Sequence, residues 1–113
     1  MKVAFTAQGN GWYEKVDLRF GRAKGFFIVD TETDQAEYLD NTQNLEAAHG
    51  AGTSAAQSVI NTGAGALVSG SVGPKAGSVL KAAGIEVYTV EGGTTLKDAY
   101  NLFKQGKLKK QVL

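Results

Sequence analysis

Ala66-Leu67-Val68-Ser69-Gly70-Ser71-Val72-Gly73-Pro74-Lys75-Ala76-Gly77-Ser78-Val79-Leu80-Lys81-Ala82-Ala83-Gly84-Ile85-Glu86-Val87-Tyr88-Thr89 is the stretch whose reading decides the fold class. Ala66 to Val68 is a short unbroken apolar run, the pattern of a strand buried on both faces. Gly73-Pro74 opens a helix, with proline at the first helical position, where its missing N–H costs least. Ala76, Val79, Leu80 and Ala83 then recur at i, i+3, i+4 and i+7, the stripe of a helix packed on one face. Gly84 ends the helix, and Ile85 to Thr89 is a second strand. Strand, helix and strand in this order form a crossover unit, which implies parallel strands.

The reading extends outward from this unit. Downstream, Thr95-Leu96-Lys97-Asp98 has the spacing of a capping box with Asp in place of Glu. Leu96, Ala99, Tyr100 and Phe103 form another stripe, and Gly106 ends that helix. Lys104, Lys107, Lys109 and Lys110 then read as a solvated basic tail from about residue 106. Upstream, Ser54 to Ile60 reads as a helix burying Ala55, Ala56, Val59 and Ile60, with Gly63 at its C′ position. Before it lie apolar runs at Val3–Ala7, Phe26–Val29 and Ala36–Leu39. The last two are joined by the polar turn Thr31–Gln35, as in a β-hairpin. The order β-β-β-α-β-α-β-α over residues 1–113 predicts a single α/β domain. Its simplest form is a five-stranded mixed sheet of order 3-2-1-4-5 with flanking helices, the ribonuclease H-like arrangement.

Twelve basic and eleven acidic side chains nearly cancel. The overall charge therefore gives no reason to expect nucleic acid or an anionic membrane as partner. The sequence has no Cys, which fits a reducing compartment and removes thiolates as metal ligands. The apolar run at the start is too short for a signal peptide, and no stretch approaches the ~20 apolar residues of a membrane span. A cytoplasmic protein is the expectation.

In open α/β sheets ligands bind at the C-terminal edge of the strands. The predicted topology brings five segments to that edge: residues 8–13, 20–24, 41–53, 70–75 and 91–95. Three of them lead into helices, whose first turns present N–H groups and partial positive charge. Arg22, Lys75 and the only His, His49, belong to these segments, and Gly50, Gly52, Gly70 and Gly73 let the backbone come close to a bulky ligand. Together they make a candidate anion site. Other chemistries fit less well. Gly50-Ala51-Gly52-Thr53-Ser54-Ala55 has G-x-G-x-x-A spacing but follows a polar segment where a dinucleotide fingerprint needs a strand. Gly70 to Lys75 lacks the G-K-[ST] ending of a nucleotide-hydrolysing phosphate loop. Strand 1 carries no Asp or Glu and the edge has no acidic cluster, which argues against a two-metal nuclease. No nucleophile elbow is present. The expectation is a binding protein, not an enzyme.

Four motifs in order carry a family resemblance over Met1 to about Gln105. They are Val16-Asp17-Leu18-Arg19-Phe20-Gly21-Arg22-Ala23 with Phe26-Phe27-Ile28-Val29-Asp30, then His49-Gly50-Ala51-Gly52, then Leu67 to Ala76, then Ala83-Gly84-Ile85-Glu86-Val87-Tyr88. The chain resembles the dinitrogenase iron–molybdenum cofactor family, which includes NifX-type carriers and the C-terminal domain of NifB-type proteins. The resemblance implies a ribonuclease H-like domain that holds the iron–molybdenum cofactor, or its iron–sulfur precursor, between assembly and insertion. Cofactor-assembly proteins would be its partners. Mapped onto the candidate site, cluster contacts fall to Arg22, His49, Gly50, Gly52, Gly70, Gly73 and Lys75, with His49 as the metal ligand. The alternative is a small regulatory or protein-interaction module that binds another anion or a partner at the same edge.

Overall fold

A computed structural model describes residues 1–41 and 51–113. The strands are β1 (Lys2–Ala7), β2 (Gly25–Asp30), β3 (Ala36–Asp40), β4 (Ala66–Ser69), β5 (Glu86–Thr89) and β6 (Lys109–Gln111). The helices are α1 (Ala51–Asn61), α2 (Pro74–Ala82) and α3 (Leu96–Lys104), and a 3-10 turn spans Phe20–Arg22. All the strands join one mixed sheet of order β3-β2-β1-β4-β5-β6. The β1–β4 and β4–β5 pairs are parallel, and the β1–β2, β2–β3 and β5–β6 pairs are antiparallel.

Side chains alternate across this sheet and divide the core in two. Ala4, Phe26, Ile28, Leu67 and Val87 face α1 and α2, where Ala55, Ala56, Val59, Ala76 and Leu80 meet them. Val3, Phe5, Val29, Ala66 and Val68 face α3, against Leu96, Ala99 and Tyr100. Phe5 and Leu67 are fully buried, and burying a side chain of this kind stabilises by about 1.5–3 kcal/mol. The central strands are covered on both faces, which is why they read as continuous apolar runs.

The predicted helix boundaries have physical counterparts. Pro74 is the first residue of α2. The Thr95 side chain accepts a hydrogen bond from the Asp98 N–H at the start of α3 (3.1 Å). Gly63, Gly84 and Gly106 adopt positive φ just past the three helices, the left-handed conformation that glycine takes at low cost. Helix α1 begins at Ala51, three residues before the predicted start, which puts Gly52 in its first turn.

The expected five strands are corrected to six. The order 3-2-1-4-5 stands, and part of the segment read as a basic tail forms β6 beside β5, with Val87 opposite Gln111 and Thr89 opposite Lys109. Lys109-Lys110-Gln111 carries no apolar alternation because it lies on the sheet's outer edge, where side chains reach solvent. Lys110 pairs with Glu86 (3.1 Å), and Leu108 packs on the α3 side of the core.

Candidate functional site

The C-terminal ends of β1, β4 and β5 form one edge, and the segment 8–24 folds across it. Buried hydroxyls stitch this segment to the sheet. Thr6 Oγ1 lies 2.6 Å from the Asp17 carbonyl oxygen and 2.7 Å from Ser69 Oγ, and the Asp17 N–H donates to the Thr6 carbonyl (2.8 Å). Farther along, the buried Asn41 side chain donates to the Ala23 carbonyl (2.8 Å), fixing the exit of the 3-10 turn. Gly70 sits under the Leu18 backbone so closely that a Cβ there would lie 2.2 Å from the Leu18 carbonyl oxygen. Phe20 anchors the turn in the core beside Ala55, Ala56 and Val59 of α1.

This packing gathers several of the predicted residues. Arg22 is exposed at the end of a turn that packs on α1. Gly70, Gly73 and Lys75 lie on the loop and first turn of α2, one close contact away through Leu18. Gly73 is exposed, with φ −71° and no heavy atom within 4 Å of the position a Cβ would take. Gly52 is in the first turn of α1. His49 and Gly50 lie outside the described residues.

The helix starts differ in what they offer an anion. At α3 the first donors are already used. The Leu96 N–H donates to the Glu14 carbonyl (2.8 Å), the Lys97 N–H to the Trp12 carbonyl (2.9 Å), and the Asp98 N–H to Thr95. The expectation that α3 joins the anion site is therefore corrected, because the segment 12–16 closes its start. At α2 the N-cap is Gly73, which has no side chain to cap the helix, and Pro74 has no N–H. Helix α2 thus presents an open first turn beside the exposed Lys75, the arrangement that favours anions at helix N-termini.

Sequence reasoning missed a third cation. Asp17 is buried, and its Oδ1 accepts the Arg19 N–H (2.9 Å) while the two carboxylate oxygens lie 3.3 Å from Arg19 Nε and Nη2. Asp17 thereby holds an arginine whose side chain is 73% exposed, one residue from the Leu18–Gly70 contact. The Arg19 pKa is raised, first by its side-chain hydrogen bond to Asp17 and then by that residue's charge. The Asp-x-Arg spacing was the available signal.

The aromatic pair that precedes this turn splits. Trp12 folds back onto the α3 side of the core, with ring centroids 5.0 Å from Phe27 and 5.3 Å from Tyr100. Tyr13 stays 78% exposed, with Lys97 Nζ 5.5 Å from its ring centroid. Among the described residues no three His, Cys, Asp or Glu side chains converge as a metal-chelating group.

The family model described as dinitrogenase iron-molybdenum cofactor matches residues 1–106. The chain belongs to this family. Similar proteins of known structure include the orange protein of Desulfovibrio gigas, solved in its apo form, which is 45% identical. That match covers 98% of this chain and 92% of the other, with a TM-score of 0.94. A Thermotoga protein whose description relates it to NifB is 38% identical, over 96% of this chain and 91% of the other, at a TM-score of 0.83. An uncharacterized protein of Methanocaldococcus jannaschii is 35% identical over 97% of this chain and 91% of its own length. Family membership thus rests on nearly the whole chain and not on isolated motifs. Among the described residues no helix is long and apolar enough to cross a membrane.

Proposed function

We propose that this protein is a carrier, not an enzyme, for an anionic metal–sulfur cluster: the iron–molybdenum cofactor or its iron–sulfur precursor. The observation that carries the proposal is the open start of α2. There Gly73 leaves room, Lys75 and Arg22 supply charge, and Arg19 is held in place by Asp17. The donor set suits this cargo. It offers backbone N–H groups and guanidinium and ammonium charges, with no thiolate anywhere in the sequence. Contacts of this kind act on the cluster's charge and do not replace its own ligands, so a cluster held this way can be handed on. His49, the sequence's single imidazole, is the metal ligand of this proposal, and Gly50 and Gly52 are its further cluster contacts. Family membership supports the reading, as does the likeness to an orange protein solved in its apo form. The sheet is then a ribonuclease H-like arrangement extended by β6. The setting is the reducing cytoplasm, and the partners are cofactor-assembly proteins.

The test is an anaerobic titration with isolated iron–molybdenum cofactor and with its precursor, followed by native mass spectrometry and electron paramagnetic resonance. Stoichiometric binding is expected. His49→Ala weakens it with the fold intact. Arg19→Ala and Arg22→Ala weaken it most at low salt, because their contribution is electrostatic and is screened as ionic strength rises. Failure of the wild-type protein to take up either cluster would refute the carrier reading. That result would favour the interaction module, for which the exposed Tyr13 and Leu18 at the same edge are the specific support.

A further inference from the structure

Strand β6 does more than lengthen the sheet. Its last residue, Gln111, faces the loop that opens α2. The Gln111 Oε1 accepts the Val72 N–H (3.0 Å), and the Gln111 Nε2 donates to the Val72 carbonyl (3.1 Å). One primary amide thus satisfies both polar groups of a single loop residue, as a neighbouring strand would. Only one orientation of the amide can do this, because the N–H needs an acceptor and the carbonyl needs a donor. Val72 itself is buried with Ala76 and Leu80, so it is held by its side chain on one side and by Gln111 on the other. The residues flanking it, Ser71 and Gly73, are exposed. The loop is therefore pinned at its middle while the parts facing solvent stay open.

We infer that Gln111 is a positioning residue for the ligand loop and that β6 belongs to the binding site. The inference rests on the carrier reading for its ligand, but its geometry stands apart from it. Without the amide pair, the described residues hold the turn Gly70–Gly73 at its two ends, by the Gly70–Leu18 contact and by the Gly77 N–H bond to the Gly73 carbonyl (2.8 Å), and between them by the Val72 side chain alone. The loop that leads into the open first turn of α2 is then less firmly placed against the Leu18 backbone, next to Arg19. Ordering such a loop upon binding costs affinity that a pre-set loop keeps.

Two variants separate positioning from simple loss of stability. Gln111→Ala removes both hydrogen bonds. Gln111→Glu keeps the shape but, as a carboxylate, turns an acceptor toward the Val72 carbonyl. When protonated, the same group again pairs one donor and one acceptor with Val72. The first readout is the backbone amide of Val72 by nitrogen-15 nuclear magnetic resonance in ligand-free protein, with Val68 in the centre of the sheet as control. In Gln111→Ala, Val72 amide exchange should rise about tenfold, the loss of one net hydrogen bond's protection, while Val68 stays as in the wild type. In Gln111→Glu, the Val72 resonance should move toward its wild-type position as pH falls through the carboxyl's titration, a response absent from the wild type and from Gln111→Ala. The second readout is affinity for isolated iron–molybdenum cofactor, which should fall several-fold in Gln111→Ala at unchanged Val68 protection. Unaltered Val72 exchange, a pH-independent Gln111→Glu resonance, or wild-type affinity in Gln111→Ala would each overturn the inference. If the wild-type protein takes up no cofactor, the carrier reading fails, and the Val72 amide still decides whether Gln111 sets the loop.

Discussion

Replacing Gly70 by alanine tests the architecture of this edge directly. The added Cβ would lie 2.2 Å from the Leu18 carbonyl oxygen and 2.9 Å from the Leu18 carbonyl carbon and Cα. An ordinary carbon–oxygen approach is about 3.3 Å, so the two backbones must part by about 1 Å. Both are tied down. Leu18 follows Asp17, whose carbonyl and N–H are bonded to Thr6, and Gly70 follows Ser69 of β4. Forcing an extra carbon into packed structure costs about 1–3 kcal/mol. Losing one of the Thr6–Asp17 hydrogen bonds adds about 1 kcal/mol. A total near 3 kcal/mol corresponds to a fall in Tm of about 10–15 °C for a domain of this size. Thermal unfolding followed by circular dichroism and by Trp12 fluorescence measures it. Gly73→Ala is the matched control. Its φ of −71° suits any residue and its Cβ meets nothing, so the unfolded-state entropy that Ala removes, about 0.4–1 kcal/mol, offsets the poorer capping by Ala at an N-cap, and stability should stay close to that of the wild type. The same methyl stands where the cluster would approach, so Gly73→Ala should weaken cluster uptake. Wild-type melting of Gly70→Ala, or an equal loss in Gly73→Ala, would refute the distinction between a packing glycine and a ligand-facing one.

Two further outcomes follow from the fold. Thr95→Ala removes the side-chain acceptor of the Asp98 N–H at the start of α3 and should cost about 1 kcal/mol in urea unfolding. Tyr100 should ionise with its pKa pushed up to about 12, first by burial, then by its hydrogen bond to Asp34 and by the charges of Asp34 and Asp30. The folded protein then holds a proton that the unfolded chain releases near pH 10. Stability from this group is intact below about pH 10 and declines toward pH 12. Tyr100→Phe should flatten that decline in pH-dependent unfolding, and an unchanged slope would show that other groups cause it.

The legible part of the fold lay where neighbours in sequence are also neighbours in space. Gly73-Pro74, the Leu80–Gly84 helix end and the Leu96, Ala99 and Tyr100 stripe are local signals, and the structure keeps each of them. Strand β6 was not legible, because a three-residue polar edge strand takes its identity from β5 and not from its own pattern. The placement of the candidate edge was legible to a similar degree. Punctuation and charge pointed to Arg22, Gly70, Gly73 and Lys75. The closed start of α3 was hidden, since Glu14 and Trp12 reach it from more than 80 residues away. Gly70 marked a turn in the sequence, while its contact with Leu18 joins segments about 50 residues apart. Gln111 and Val72 are likewise linked only by the tertiary fold.

The Thr6–Ser69 contact has a consequence in time. It spans 63 positions of the chain and ties β1 to β4 at the sheet's centre. Pairing strands so distant requires closing a long loop before any contact rewards it, a step that slows folding. The segment bearing Arg19 and Arg22 is bonded to Thr6 through Asp17 and packs its Leu18 backbone on Gly70, so its full set of contacts needs both strands in place. A chain still leaving the ribosome before residue 69 has no assembled edge, and neither has a molecule whose sheet centre has come apart. Under the carrier proposal, uptake of a cluster would therefore report on completion of the fold.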